Sequence, residues 1–171
     1  MKVLDKTSVF QGKLLNVRCD RIADAEGRET TREFVVHPGG VSVVARPTPE
    51  EILLVRQYRY PTGETLIELP AGTLEAGEQP VETARRELEE ETGYRAARMD
   101  FLASYYTTPG FTSELMYLYE ASELTYTQQR PEEDESIEVL RIPDDEAMRM
   151  LRAGEIRDAK TLVGLLMVLS L

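Results

Sequence analysis

Glu87, Glu90 and Glu91 fall within one short block, Arg86-Glu87-Leu88-Glu89-Glu90-Glu91-Thr92-Gly93. On a helix, residues three and four apart share a face, so these carboxylates crowd together. Like charges that close repel one another. A divalent cation, which prefers hard oxygen ligands, would turn the repulsion into a site. Charge pairing sorts the helix further. Glu82 has Arg86 four residues on, Arg85 has Glu89 four residues on, and Glu90 can reach back to Arg86. Pairs of this kind stabilise a helix surface by about 0.3 kcal/mol each. Glu87 has only Thr83 and Glu91 at helical spacing, so the Glu87/Glu91 pair lacks a cation within its own helix. Two readings of the face stand at this point, a solvated acidic surface and a metal site.

The block has fixed company upstream. Gly72 is followed by five residues and Glu78, then by seven residues and Arg86. The whole pattern resembles the Nudix box, the signature of hydrolases that cleave nucleoside diphosphates linked to another moiety. Tyr94 stands where that family usually has an aliphatic residue. The resemblance favours the metal site over the solvated surface. It implies Glu87, Glu90 and Glu91 as metal ligands, joined by the backbone carbonyl of the residue before the first glycine, Ala71. Arg86 then orients the carboxylates. Hard oxygen donors favour Mg²⁺, with Mn²⁺ possible, and the lone His37 cannot build an imidazole site.

The elements that position these groups are legible around them. Pro80 suits a first helical turn, where its missing N–H would be unpaired anyway. Val81, Ala84 and Leu88 form an apolar stripe to face a core. Gly93 sits where a helix ends in a left-handed residue. Leu66 to Pro70 reads as a strand, and Gly72 to Gly77 as a loop entering the helix. Elsewhere, Leu14 to Ile22 and Thr30 to His37 read as strands joined by Ala25-Glu26-Gly27-Arg28. Val41 to Ala45 and Ile52 to Tyr60 read as a hairpin about Pro47-Thr48-Pro49-Glu50. Later strands are expected near Arg98 to Tyr106, Leu115 to Ala121 and Ser136 to Ile142. Asp144 is expected to cap a helix that Gly154 closes, and Asp158 to start the last helix. Strands with interspersed helices predict a mixed α+β or α/β fold. The resemblance implies an α/β/α sandwich around a mixed central sheet over residues 39–171. Residues 1–38 are expected to form a small N-terminal β appendage ending near Pro38-Gly39-Gly40.

Composition limits the partners. The 171 residues suffice for one cored domain, and the net charge of −11 argues against a nucleic-acid binder. An anionic substrate must therefore meet local arginines or bound cations. The single cysteine, Cys19, cannot form an internal disulfide, which suits a reducing compartment. MKVLDKTSVF carries no signal-type apolar run. Leu162 to Leu171 is half a membrane span and reads as a buried helix. No membrane partner is expected, and the expected location is cytoplasmic.

Three segments outside the box narrow the reading. Tyr106-Thr107-Thr108-Pro109-Gly110-Phe111-Thr112-Ser113-Glu114 places Pro109 sixteen residues after Gly93. As residues, these form a Pro-Gly turn between strands. The segment also resembles the mark of the ADP-ribose pyrophosphatases among Nudix enzymes, which makes Glu114 a candidate substrate or water contact. Arg56-Gln57-Tyr58-Arg59-Tyr60-Pro61 resembles the strand end that supplies an arginine to the substrate phosphates. Arg59 is the choice, since a guanidinium fork fits two phosphate oxygens; an exposed strand arginine is the plainer alternative. Arg32 has a weaker claim of the same kind. In Glu132-Glu133-Asp134-Glu135, a charge run reads first as a solvated loop. The resemblance implies that such a loop delivers the general base, with Glu135 first and Glu133 as alternate. It also implies a homodimer that exchanges N-terminal strands. The activity so implied is Mg²⁺-dependent hydrolysis of ADP-ribose to AMP and ribose 5-phosphate. The alternatives are another nucleoside diphosphate derivative as substrate, or a non-catalytic nucleotide sensor.

Overall fold

The computed structural model describes residues 1–13, 15–131 and 136–170. Two compact units emerge, one of Met1–Gly39 with Tyr106–Leu115, the other of Gly40–Tyr105 with Met116–Leu171.

The first unit is built on β3 (Asn16–Ala23). Strands β1 (Lys2–Asp5) and β2 (Ser8–Gln11) lie end to end along one of its edges, and β4 (Glu29–Val36) pairs the other. The β3–β4 hairpin turns at Gly27, whose φ of +80° is the left-handed conformation glycine adopts without strain. β1 and β2 are exposed at every position. Sequence periodicity missed both, because four-residue strands with no buried face carry no alternation to read.

The second unit holds a seven-stranded sheet. Its strands are β5 (Gly40–Thr48), β6 (Glu51–Arg59), β7 (Glu64–Glu68), β8 (Ala71–Thr73), β9 (Tyr94–Tyr106), β10 (Leu115–Tyr126) and β11 (Ile137–Pro143). The order β11-β6-β5-β10-β9 is mixed, since β5 and β10 run parallel while β5, β6 and β11 alternate in direction. Gly-Val-Ser-Val-Val-Ala and Ile-Leu-Leu-Val are buried, nearly continuous apolar runs because β5 and β6 are covered on both faces. β5 and β6 pair at Ala45↔Leu53 and Thr48↔Glu51, near their turn. Toward their other ends β7 pairs β6 and β8 pairs β5. The connection from Glu68 to Ala71 thus crosses from the β6 side to the β5 side.

Helix α1 (Pro80–Thr92) covers one face, with Ala84 and Leu88 buried against Val41, Val43 and Leu53. Helices α2 (Asp144–Ala153) and α3 (Ala159–Leu169) cover the other, where Met150 and Leu165 join Val44, Ile52, Leu54, Leu69 and Leu118. This is the expected sandwich, with helices on both faces of a mixed sheet.

Two local expectations need correction. Gly72 belongs to the short strand β8 and not to a loop, because the split between β5 and β6 leaves Gly40–Ser42 to pair with Ala71–Thr73. Asp144 does not cap α2. Pro143 holds the cap position, and Asp144 accepts from Arg46 at 3.1 Å instead. Asp158 does cap α3, accepting from Thr161 N–H at 2.9 Å. Among the described residues no helix is long and apolar enough to cross a membrane.

Candidate active site

β8 and α1 meet at Gly72. A Cβ built on Gly72 would lie 2.0 Å from Glu87 Cδ and 2.1 Å from its Oε1. The absent side chain is therefore the space in which the Glu87 carboxylate rests against the strand. One turn further along α1, Glu91 Oε2 accepts the Ala71 N–H at 3.0 Å. Glu91 is buried, at 4% exposure. The fixed interval from Gly72 to the helix carboxylates is thus the distance needed to leave the sheet, turn at Gly77 and return along α1.

Arg86 gathers four carboxylates. Its guanidinium donates to Glu87 Oε1 at 2.8 Å, to Glu90 Oε2 at 3.1 Å and to Glu78 at 3.2–3.3 Å, with Glu75 at 3.9 Å. Its pKa is raised, first by the bond to Glu78 and then, against burial, by the charge of Glu87 and the bonds to Glu90 and Glu87. The same bond holds the Glu78 carboxyl below its ordinary value of 4.5. The expectation that Glu87 lacks a cation within its helix is corrected here. Adjacent helical residues do not face each other, but the long arginine chain curls back to its neighbour. The expected Glu82–Arg86 and Arg85–Glu89 pairs give way as well. Arg86 turns inward, Arg85 donates to the Ala96 carbonyl at 2.7 Å, and Glu89 accepts from Arg95 at 2.9 Å and Arg130 at 3.1 Å.

Arg59, at the end of β6, does not wave free. Its Nε and Nη2 donate to Glu68 Oε1 and Oε2 at 2.9 and 2.8 Å, a two-pronged pair. Glu68 ends β7 at 1% exposure and also accepts from Lys160 Nζ. Burial pushes the Glu68 carboxyl up, but the bonds from Arg59 and the charge of Lys160 outweigh it and the net direction is down. Arg59 is raised by its bond to Glu68, against burial, with smaller contributions from the charges of Glu68, Glu91 and Asp158. Sequence reading missed Glu68 and Lys160. A glutamate closing an apolar strand, just before Leu69-Pro70-Ala71-Gly72, was the available signal.

Two of the remaining candidates belong to the first unit. Glu114, in the first unit, accepts from Thr107 Oγ1 at 2.6 Å and lies 3.5 Å from His37 Nε2. Arg32, on β4 of that unit, is exposed and donates to the Thr31 carbonyl at 2.9 Å. Glu133 and Glu135 lie outside the described residues.

Strand β8, its glycine, the following turn and the acidic helix α1 make one continuous motif. The family model described as NUDIX domain matches residues 36–163. The chain belongs to the NUDIX family. It is 39% identical over 162 residues to the ADP-ribose pyrophosphatase of Bacillus subtilis (strain 168), covering 94% of this chain and 88% of that protein. It is 38% identical over 164 residues to the methanol dehydrogenase activator of Bacillus methanolicus, covering 95% of this chain and 89% of the relative. A solved structure described as the crystal structure of ADP compounds hydrolase superposes with a TM-score of 0.86. It is 24% identical and covers 98% of this chain and 92% of its own, so this likeness speaks for the fold.

In this NUDIX chain the donor set suits a hard cation. Glu87, Glu90, Glu91 and the Ala71 carbonyl offer oxygen alone, the chemistry Mg²⁺ prefers. Among the described residues no three His, Cys, Asp or Glu side chains are already arranged to hold a metal ion. Arg86 is a cation that Glu87 and Glu90 share.

Proposed function

We propose that this NUDIX-family hydrolase cleaves the pyrophosphate bond of ADP-ribose, giving AMP and ribose 5-phosphate. The observation that carries the reading is the seating of Glu87 in the space left by Gly72, beside the bond from Ala71 to Glu91. It ties three of the proposed metal ligands to one strand and one helix face. The name of the Bacillus subtilis relative supports the choice of substrate.

Glu87, Glu90 and Glu91, with the Ala71 carbonyl, are the groups that would hold Mg²⁺, and Mn²⁺ suits the same donors. Bound there, the ion neutralises diphosphate charge and lowers the pKa of a water. Arg86 orients Glu87 and Glu90 and does not touch substrate. Arg59 presents its guanidinium to the diphosphate oxygens. Arg32 and Glu114 contribute further substrate contacts. Glu135, with Glu133 as alternate, takes the proton of the attacking water. The water oxygen forms a new bond to one phosphorus as the bridging P–O bond breaks, and the second phosphate leaves with the electron pair.

The working form is a homodimer that exchanges N-terminal strands between subunits. Val3, Val9 and Phe10, exposed on β1 and β2, support it, because apolar strand surface of this kind calls for a cover. The compartment is the cytoplasm, a reading supported by the free Cys19.

The test is a panel of ADP-ribose, nucleotide sugars and dinucleotides, each with Mg²⁺ and with chelator, products resolved by mass. ADP-ribose should have the highest kcat/KM, and chelator should stop its cleavage. A nucleotide sugar or dinucleotide cleaved faster than ADP-ribose would move the substrate assignment.

A further inference from the structure

The four charges around the end of β7 form a chain of alternating sign. Arg59 donates twice to Glu68, Lys160 donates to Glu68, and Lys160 lies 2.9 Å from Asp158 Oδ1. Glu68 and Lys160 are 92 residues apart in sequence, so the chain links β6, β7 and the first turn of α3. The members differ in exposure. The side chains of Glu68, Lys160 and Asp158 are 1%, 15% and 17% exposed, whereas that of Arg59 is 37% exposed. Arg59 is thus the end of the chain that an incoming anion can meet.

The same turn of α3 grips the backbone beside Glu68. The Leu69 N–H donates to Thr161 Oγ1 at 2.8 Å, and Thr161 Oγ1 in turn donates to Asp158 Oδ2 at 2.6 Å. Leu69 packs so closely on α3 that a Cβ on Gly164 would lie 2.4 Å from its Cδ1. Glu68 is therefore fixed at its carboxylate, at the following N–H and at the following side chain.

We propose that Lys160 is a positioning residue for Arg59, acting through the buried Glu68 carboxylate. This rests on the reading of Arg59 as the diphosphate-binding arginine. A carboxylate that accepted only from Arg59 could rotate with it. Lys160 claims Oε2 from the α3 side, which sets the plane of the carboxylate and so the plane of the guanidinium. With Nε and one Nη2 hydrogen committed to Glu68, the Nη1 edge remains for an anion.

Steady-state kinetics with ADP-ribose and saturating Mg²⁺ test this in Lys160→Met, Lys160→Arg, Arg59→Gln and the Arg59→Gln/Lys160→Met double variant. Lys160→Met should raise KM about tenfold, the size of one charge-assisted hydrogen bond, and change kcat less than about threefold. Lys160→Arg, which keeps the donor, should stay within about threefold of the parent. The double variant should be no worse than Arg59→Gln alone, because both substitutions remove one interaction. An unaltered KM in folded Lys160→Met, or multiplying effects in the double variant, would overturn the proposal while leaving Arg59 in place. An unaltered KM in Arg59→Gln would remove Arg59 from the site and this proposal with it. Should Lys160→Met not fold, Asp158→Asn keeps a competent helix cap and loosens only the outer end of the chain. It should raise KM about threefold, and no rise would overturn the proposal.

Discussion

A methyl group at position 72 and the Glu87 carboxylate cannot occupy the same space. The conflict is with the far end of a flexible side chain, so the fold can yield where the chemistry cannot. Gly72→Ala should therefore lower kcat at least about a hundredfold while costing about 1 kcal/mol of stability. Activity assays beside urea unfolding would check both halves. Glu91→Gln keeps the acceptor for the Ala71 N–H but removes the charge. It should abolish most turnover and weaken Mg²⁺ binding measured by calorimetry; near-normal turnover would take Glu91 out of the ligand set. Glu135→Gln should flatten the rising limb of the pH–rate profile, and an intact profile would put the base elsewhere. At this scale the sequence was uneven. The spacing of Glu87, Glu90 and Glu91 singled out a helix face, because helical periodicity is local. The hold of Arg86 on Glu87 escaped it, because spacing rules place side chains by Cβ direction and a long arginine reaches past them. Lys160 escaped it too, since its contact with Glu68 exists only after the sheet and α3 have packed.

The elements were more legible than their edges. Pro80 and Gly93 bound α1 as the sequence predicts, with Gly93 at φ +75°. β5, β6, β10 and β11 announced themselves through dense β-branched and apolar runs. β8 did not, because three residues containing a glycine have no strand signature apart from the gap they fill. Helix α3 is positioned by Gly164, where an added Cβ meets Leu69, Leu118 and Val44. Gly164→Ala gains about 1 kcal/mol of helix propensity but overpacks the interface by about 1–3 kcal/mol. Net destabilisation is expected in urea unfolding. A stabilised variant would mean that Leu69 can move aside, and would weaken the picture of α3 gripping the segment before Ala71.

For the whole molecule, 31 acidic against 20 basic side chains set the pH response. Glu68 and Glu78 are held below their ordinary value of 4.5 by arginine and lysine partners. Each binds a proton less readily in the folded protein than in the unfolded chain. The stability they contribute is complete above their ordinary value and is lost as pH falls through the lowered folded values. Thermal unfolding should hence be level near neutrality and fall below about pH 4.5; a melting temperature that rises on acidification would contradict the ion-pair account. Sedimentation tests the dimer, and an active monomer at nanomolar concentration would exclude it. The central claim is that oxygen donors on β8 and α1 make this chain a metal-dependent pyrophosphate hydrolase. Its most direct test is a mass-resolved assay of ADP-ribose with Mg²⁺, with chelator, and with Glu91→Gln. AMP and ribose 5-phosphate should form readily in the first reaction and hardly at all in the other two; products formed equally with chelator, or no products in any of the three, would contradict it.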